Sequence, residues 1–155
     1  KEKYSKMKIL IVGDGDAYED LLKIKEEYNL KDQLILTGRQ PYIKIPEFLA
    51  SSTFCLLPAY KDEEIMQDIV PIKLYEYLAM QKVVIATKLP GIYNEFGENH
   101  GIVYVDNACE VLDTVQNILN KGEYDEIAKN GREFVKSSDW EIKVNEFENA
   151  LNELI

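Results

Sequence analysis

Histidine is almost missing from this sequence: His100 is the only one in 155 residues. It lies in the polar loop "GENHG", so a solvated loop residue is the expectation rather than a general base or metal ligand. Cysteine is nearly as scarce, with Cys55 in an apolar strand-like run and Cys109 at a helix start. Their spacing fits neither a zinc site nor a disulfide framework, which leaves two reduced thiols in a cytoplasmic protein as the expectation. No Ser/His/Asp or Cys/His pairing can be assembled. No apolar run approaches the roughly 20 residues that a membrane-spanning helix needs, and no signal-peptide pattern precedes the first strand. Positive charge is outnumbered, 18 Lys and Arg against 28 Asp and Glu, for a net charge of -10. A broad nucleic-acid surface is thereby excluded, because it would have to be built against the whole field. A small anionic ligand remains open only where local groups override that field.

What is present is an alternation of short apolar runs with helical patterns. Hydrophobic residues make up 46% of the chain, and its length suits one domain with a real core. "MKILIVG" (7–13), "QLILTG" (33–38), "FCLLP" (54–58), "KVVIAT" (82–87) and "GIVYV" (101–105) read as strands. Between them, "AYEDLLKIKEEYNL" and "IPEFLASS" (45–52) have helical periodicity. Two further helices follow, one closing on Gly122 and one over "EYDEIAKNGREFVKS". The last segment, "SSDWEIKVNEFENALNELI", has the clearest pattern. Ser138 and Glu141 form a capping box, and Trp140, Val144, Phe147, Leu151 and Leu154 recur at helical steps. The alternation predicts an α/β fold, a Rossmann-like parallel sheet with helices on both faces, over residues 1–155 as a single domain.

Ligands of open parallel sheets sit beyond the carboxyl ends of the strands. The loops there are "GDGDA", "GRQPY", "AYKDEEIMQDIV" and "KLPGIYNEFGENH", and the third is long enough to suggest function. "VGDGDAY" supplies two glycines of a dinucleotide fingerprint but has Tyr18 at the third position. "LILTGR" ends without the ribose-binding acid, so a tight strand-to-helix turn is the better reading.

The informative stretch is "DIVPIKLYEYLAMQKVVIAT" (68–87). Pro71 suits the first helical position, making Val70 the N-cap, although valine has no side-chain acceptor for the orphan amides. Lys73 then falls in the first turn against the helix dipole, at a cost of ~0.3–1 kcal/mol. Glu76 follows it by three residues, the less favourable order for an ion pair. An anion on the uncapped amides would repair this start, as helix N-termini do for phosphate. The alternative is an earlier start with Asp68 as N-cap and Lys73 paired to Glu63, Glu64 or Glu76.

That stretch resembles the "P-x-K-L-x-E-Y-L-A-x-G-K-P-V-I-A-T" segment of family 4 (group 1) retaining glycosyltransferases of GT-B fold. "KILIVGDGDAYEDLLKI", "LKDQLILTGRQPYIKIPEFLASSTFCLLPAY", "HGIVYVDNACEVLDTVQNIL" and "DWEIKVNEFENAL" resemble further segments of the family, in order, over nearly the whole chain.

The resemblance implies transfer of a sugar from a nucleotide-diphosphate-sugar donor, with no cofactor and usually no metal. The chain resembles the donor-binding C-terminal domain of such an enzyme. Glu76 matches the second glutamate of the family's E-x7-E motif, which holds the donor's ribose. Asp68 stands where the first glutamate is expected, near the donor sugar, and is the candidate catalytic residue. Ile69, Val70, Ile72 and Lys73 fall where backbone amides receive the diphosphate, and Gly38 and Arg39 where the nucleobase packs. Gln81 and Val83 replace a usual Gly and Pro. The family's diphosphate-clamping Arg and Lys, on a strand before "KILIVG", have no counterpart, and neither does the N-terminal acceptor-binding domain. The chain by itself is therefore expected to transfer no sugar, and a non-catalytic nucleotide- or protein-binding module is the alternative. Peripheral membrane association of a full enzyme is compatible with the resemblance. A missing central strand leads to one of two outcomes: "KILIVG" and "FCLLP" pair directly, or two chains associate through an exposed edge.

Overall fold

The computed structural model describes residues 6–61 and 67–153. The chain divides into two compact units, Lys1–Phe48 and Leu49–Ile155. In the first, β1 (Ile9–Ile11) and β2 (Leu34–Leu36) pair in parallel, Ile9 opposite Leu34 and Ile11 opposite Leu36. Parallel neighbours need a crossover, and α1 (Tyr18–Glu27) supplies it. The "VGDGDAY" segment is the tight turn expected: the Tyr18 amide donates to Gly15 O at 2.8 Å and the helix starts there. Glu19 and Asp20 in the first turn and Lys25 in the last complement the dipole of α1. A 3-10 turn, Tyr42–Lys44, leads into α2 (Ile45–Ser51).

The second unit has a parallel sheet in the order β3 (Phe54–Leu57), β4 (Val83–Thr87), β5 (Ile102–Val105). Leu56 lies opposite Ile85 and Ile85 opposite Val103. Every residue of the central strand β4 is buried, which is why "VVIAT" is a continuous apolar run rather than an alternating one. The helices are α3 (Lys73–Ala79), α4 (Pro90–Phe96), α5 (Val111–Lys121), α6 (Tyr124–Val135) and α7 (Trp140–Asn152). Leu74 and Leu78 of α3 are both fully buried, spaced i, i+4 on one face, each contributing about 1.5–3 kcal/mol of burial. They pack in one cluster with Val84, Ala86, Ile92 and Phe96. Close approach requires glycine where α6 passes β5: a Cβ on Gly131 would stand 2.7 Å from Leu78 Cδ2 and 2.9 Å from Gly101 Cα.

Three expectations change. "KLPGIYNEFGENH" is not a plain loop, since residues 90–96 form α4 with Pro90 in its first turn and Leu89 as N-cap. Its signal was the spacing of Leu89, Ile92 and Phe96, all 1% exposed. The cap of α7 is Asp139, whose Oδ1 accepts from the Glu141 amide at 2.9 Å, and not Ser138. α7 follows its predicted pattern but buries none of its residues; Trp140 is 74% and Phe147 65% exposed. Leu154 lies outside the described residues. Among the described residues the strand neighbour of β1 is β2 and that of β3 is β4.

Among the described residues, one edge of β1 and one of β3 carry backbone groups without a strand partner in their own unit, the condition under which strands recruit others. The expected outcome is concentration-dependent association in sedimentation, with slowed amide exchange at residues 9–11 or 54–57 as it proceeds. A monomer at all concentrations, exchanging fast along both strands, would rule it out.

Candidate functional site

The segment from Gln67 to Ala79 joins a long connection after β3 to the buried face of α3. The helix begins later than its sequence suggested: Ile72 is the N-cap, Lys73 the first helical residue, and Val70 and Pro71 precede the helix. Pro71 still organises the start, its carbonyl accepting from the Leu74 amide at 3.0 Å. The Tyr75 and Glu76 amides donate to Ile72 O at 3.0 and 3.3 Å. The amides of Ile72 and Lys73 have no backbone acceptor among the described residues, and no side chain caps the helix. The uncapped start is therefore real, shifted by two residues. Asp68 as N-cap is not found; it sits in a bend, exposed. Glu63 and Glu64, the other proposed partners of Lys73, lie outside the described residues.

Burial sorts the side chains of this segment. Leu74 and Leu78 point into the core, and Val70 packs against it. Ile69, Ile72 and Lys73 are exposed, and Glu76 is half-buried. Ile72 is 60% exposed, a position for which an isoleucine has no packing reason. The structure thus brings Asp68, Ile69, Val70, Ile72, Lys73 and Glu76 together within one turn-and-helix start. Gly38 and Arg39 belong to the first unit. Gly38 follows β2, its carbonyl accepting from the Gly13 amide at 2.9 Å, and Arg39 is exposed.

Side-chain contacts tie α3 and the strand ends to their neighbours. Tyr75 Oη donates to Glu95 Oε1 of α4 at 2.5 Å, and the Tyr75 ring lies 5.0 Å from that of Phe96. The buried Thr87 hydroxyl, at the end of β4, accepts from the Ala59 amide at 3.0 Å. Two cations near the strand ends are engaged. Lys61 pairs with Asp106 at 2.5 Å, holding that carboxyl below its ordinary range, and Lys88 Nζ lies 4.0 Å above the Tyr93 ring. His100 is more than a solvated loop residue, since Nδ1 sits 2.5 Å from Phe96 O and the ring stacks on Phe134 at 4.3 Å. Cys55 is buried, 3.6 Å from Ser52 Oγ, with its thiol pushed up by burial; Cys109 is exposed. Among the described residues no three His, Cys, Asp or Glu side chains could share a metal ion, and no helix is long and apolar enough to cross a membrane.

The uncapped helix start lies beside carboxylates at the carboxyl end of a parallel α/β sheet, where open sheets of this kind place their ligands. The chain matches the family Glycosyl transferases group 1 over residues 1–134, and it belongs to that family. No curated protein sequence matches it. Among solved structures it is similar to HepE of Anabaena in complex with UDP, at 14% identity and a TM-score of 0.75 over 96% of this chain and 42% of that one. It is also similar to sucrose-phosphate synthase of Thermosynechococcus elongatus, at 21% identity and a TM-score of 0.74, over 94% of this chain and 38% of that one. A third is the pneumococcal O-GlcNAc transferase GtfA in complex with UDP and GlcNAc, at 13% identity and a TM-score of 0.71, over 98% and 30%. The fold is accordingly the Rossmann-like one of GT-B glycosyltransferases. The chain spans less than half the length of these proteins.

Two tyrosines give the second unit a pH dependence. Tyr75 is pushed up to about 12 by burial and then by Glu95, and Tyr104 to about 12 by burial, with Tyr93 and Glu98 adding. Tyr104 Oη is buried with no hydrogen-bond partner among the described residues. Unfolded phenols ionise near ~10. The contribution of the neutral phenols is therefore complete below that pH and is lost as pH rises through the folded values. Phenolate absorbance during alkaline titration should show a late-titrating fraction that falls by one tyrosine in Tyr75→Phe and by one in Tyr104→Phe. Titration of both together with the exposed tyrosines would contradict this.

Proposed function

We propose that this chain is the donor-binding, C-terminal half of a retaining glycosyltransferase of family 4, which moves a sugar from a nucleoside diphosphate to an acceptor. The family match over residues 1–134 carries the proposal. HepE has been solved with UDP-glucose as well as UDP, which supports a nucleotide-sugar as the ligand class. Each residue then has a role that its chemistry suits. The free amides of Ile72 and Lys73, with Ile69 and Val70 beside them and the Lys73 ammonium near by, take the diphosphate. They counter the charge that develops as it departs. Glu76, half-buried and three residues into α3, accepts from the ribose hydroxyls. Asp68 holds the donor sugar and is the candidate catalytic carboxylate. Gly38 and Arg39 keep the proposed role of packing against a base.

Acceptor recognition belongs to a further domain, and the acceptor side of the reaction, with any membrane attachment, would reside there. A non-catalytic nucleotide- or protein-binding module is the second reading, favoured by an aspartate where the family places a glutamate.

Titration with UDP and GDP, followed by calorimetry and by amide shifts, tests the assignment. Binding should be weak, independent of magnesium, and centred on residues 69–76. Glu76→Ala should lower affinity about tenfold or more, the value of a hydrogen bond to a charged group. Unchanged affinity in that variant would remove Glu76 from the site. The same preparation should turn over no donor beyond slow hydrolysis; transfer to an acceptor would show that this chain is catalytically sufficient.

A further inference from the structure

Gly91, in the first turn of α4, is pressed against the backbone that carries Asp68. A Cβ there would stand 2.8 Å from Asp68 C and 3.0 Å from both Asp68 O and Gln67 O. All three are main-chain atoms, so no side-chain rotation could relieve the contact. One of the two segments would have to move by about 0.6 Å, the difference between 2.8 Å and an ordinary 3.4 Å contact. α4 is the poor candidate for moving, because Leu89, Ile92 and Phe96 anchor it at 1% exposure and Tyr75 ties Glu95 to α3. Asp68 itself stands exposed in a bend, between Gln67, whose Nε2 donates to Lys61 O at 2.5 Å, and Val70, which packs against the core.

We propose that Gly91 is the positioning residue for Asp68. The missing side chain on α4 sets where the Asp68 carboxylate stands relative to the donor sugar. The proposal rests on the reading of Asp68 as the sugar-facing carboxylate, and it adds a second element to that role. A side chain at position 91 would displace Asp68 but leave the Ile72 and Lys73 amides in place. Pro71, fixed in φ, lies between Asp68 and those amides, and Leu74, buried in the core, holds the chain just after them. Displacements well under 1 Å are enough to spoil alignment with a reacting group.

The test compares the wild-type chain, Gly91→Ala, Asp68→Asn and the double variant. Affinities for UDP and GDP are measured by calorimetry, and then those for UDP-glucose, GDP-glucose and UDP-N-acetylglucosamine, with thermal unfolding alongside. Gly91→Ala should keep its nucleoside diphosphate affinity within about twofold. It should lose the increment that the sugar adds, about tenfold for one charge-assisted hydrogen bond. Asp68→Asn should lose the same increment, and the double variant no more than either alone, because the two act through one contact. An intact sugar increment in Gly91→Ala, with the increment lost in Asp68→Asn, would overturn the inference and leave the Asp68 reading standing. Unfolding of Gly91→Ala, or loss of plain diphosphate binding, would make Gly91 a packing residue only and also overturn it. Absence of any sugar increment in the wild type, or its survival in Asp68→Asn, would overturn the Asp68 reading and the inference with it.

Discussion

Complete burial of β4 is the constraint on which the second unit depends. A strand with neighbours on both edges and side chains buried on both faces has no freedom of register, since a slip of one residue would exchange its faces. Val83 to Thr87 meet that condition, and the elements before and after the strand inherit their positions from it. α3 runs into β4 through the short turn at Met80 to Lys82, with Gln81 at φ 55, so the direction of the helix is fixed by the strand it feeds. Leu74 and Leu78 lock its rotation. With those two positions turned inward, Lys73 is left exposed and Glu76 only half-buried, at the end of the helix where amides are unpaired. The candidate site is thus a consequence of how the core is packed.

The uncapped start of α3 has an electrostatic side as well. In a chain of net charge -10, an anion approaches against the average field. Lys61 is neutralised by Asp106 and Lys88 is drawn over an aromatic face, so neither supplies free positive charge at the strand ends. What is left is the helix dipole, the free amides and Lys73. Such groups act over a turn or so and not across the surface. The proposed diphosphate site would therefore act locally, within a surface that repels polyanions elsewhere.

Those parts of the structure that obey a local rule were legible in the sequence. All five strands lie within their apolar runs, and Gly122 ends α5 in the left-handed conformation that a glycine accepts without strain. α4 was hidden because Pro90 and Gly91 are also loop residues; only the depth of Leu89, Ile92 and Phe96 shows that they share a helical face. The cap of α7 was displaced by one residue because Ser138 and Asp139 both have the chemistry for it, and the backbone decides between them. Periodicity in α7 predicted an amphipathic helix correctly but could not say whether its apolar face is covered. At residues 68–73 the composition pointed to the poor helix start, whereas the shift of the N-cap from Val70 to Ile72 follows from the turn that Pro71 makes with Leu74.

Gly91 shows why the remainder was out of reach. In the sequence it is one glycine after a proline, and any turn would use it. Its significance comes from a contact across more than twenty residues, between α4 and a bend that precedes α3. That contact exists because two segments meet there. α4 must bury Leu89, Ile92 and Phe96 against the same core that holds Leu74, which brings its first turn toward the start of α3. The chain entering α3 arrives as an exposed bend at Asp68, with the Asp68 and Gln67 carbonyls close to Gly91. A side chain between the two would have to displace one of them, and the buried one does not yield. The geometry of the exposed carboxylate is therefore set by the packing of a neighbouring helix, and no pattern within residues 68–76 could have revealed it.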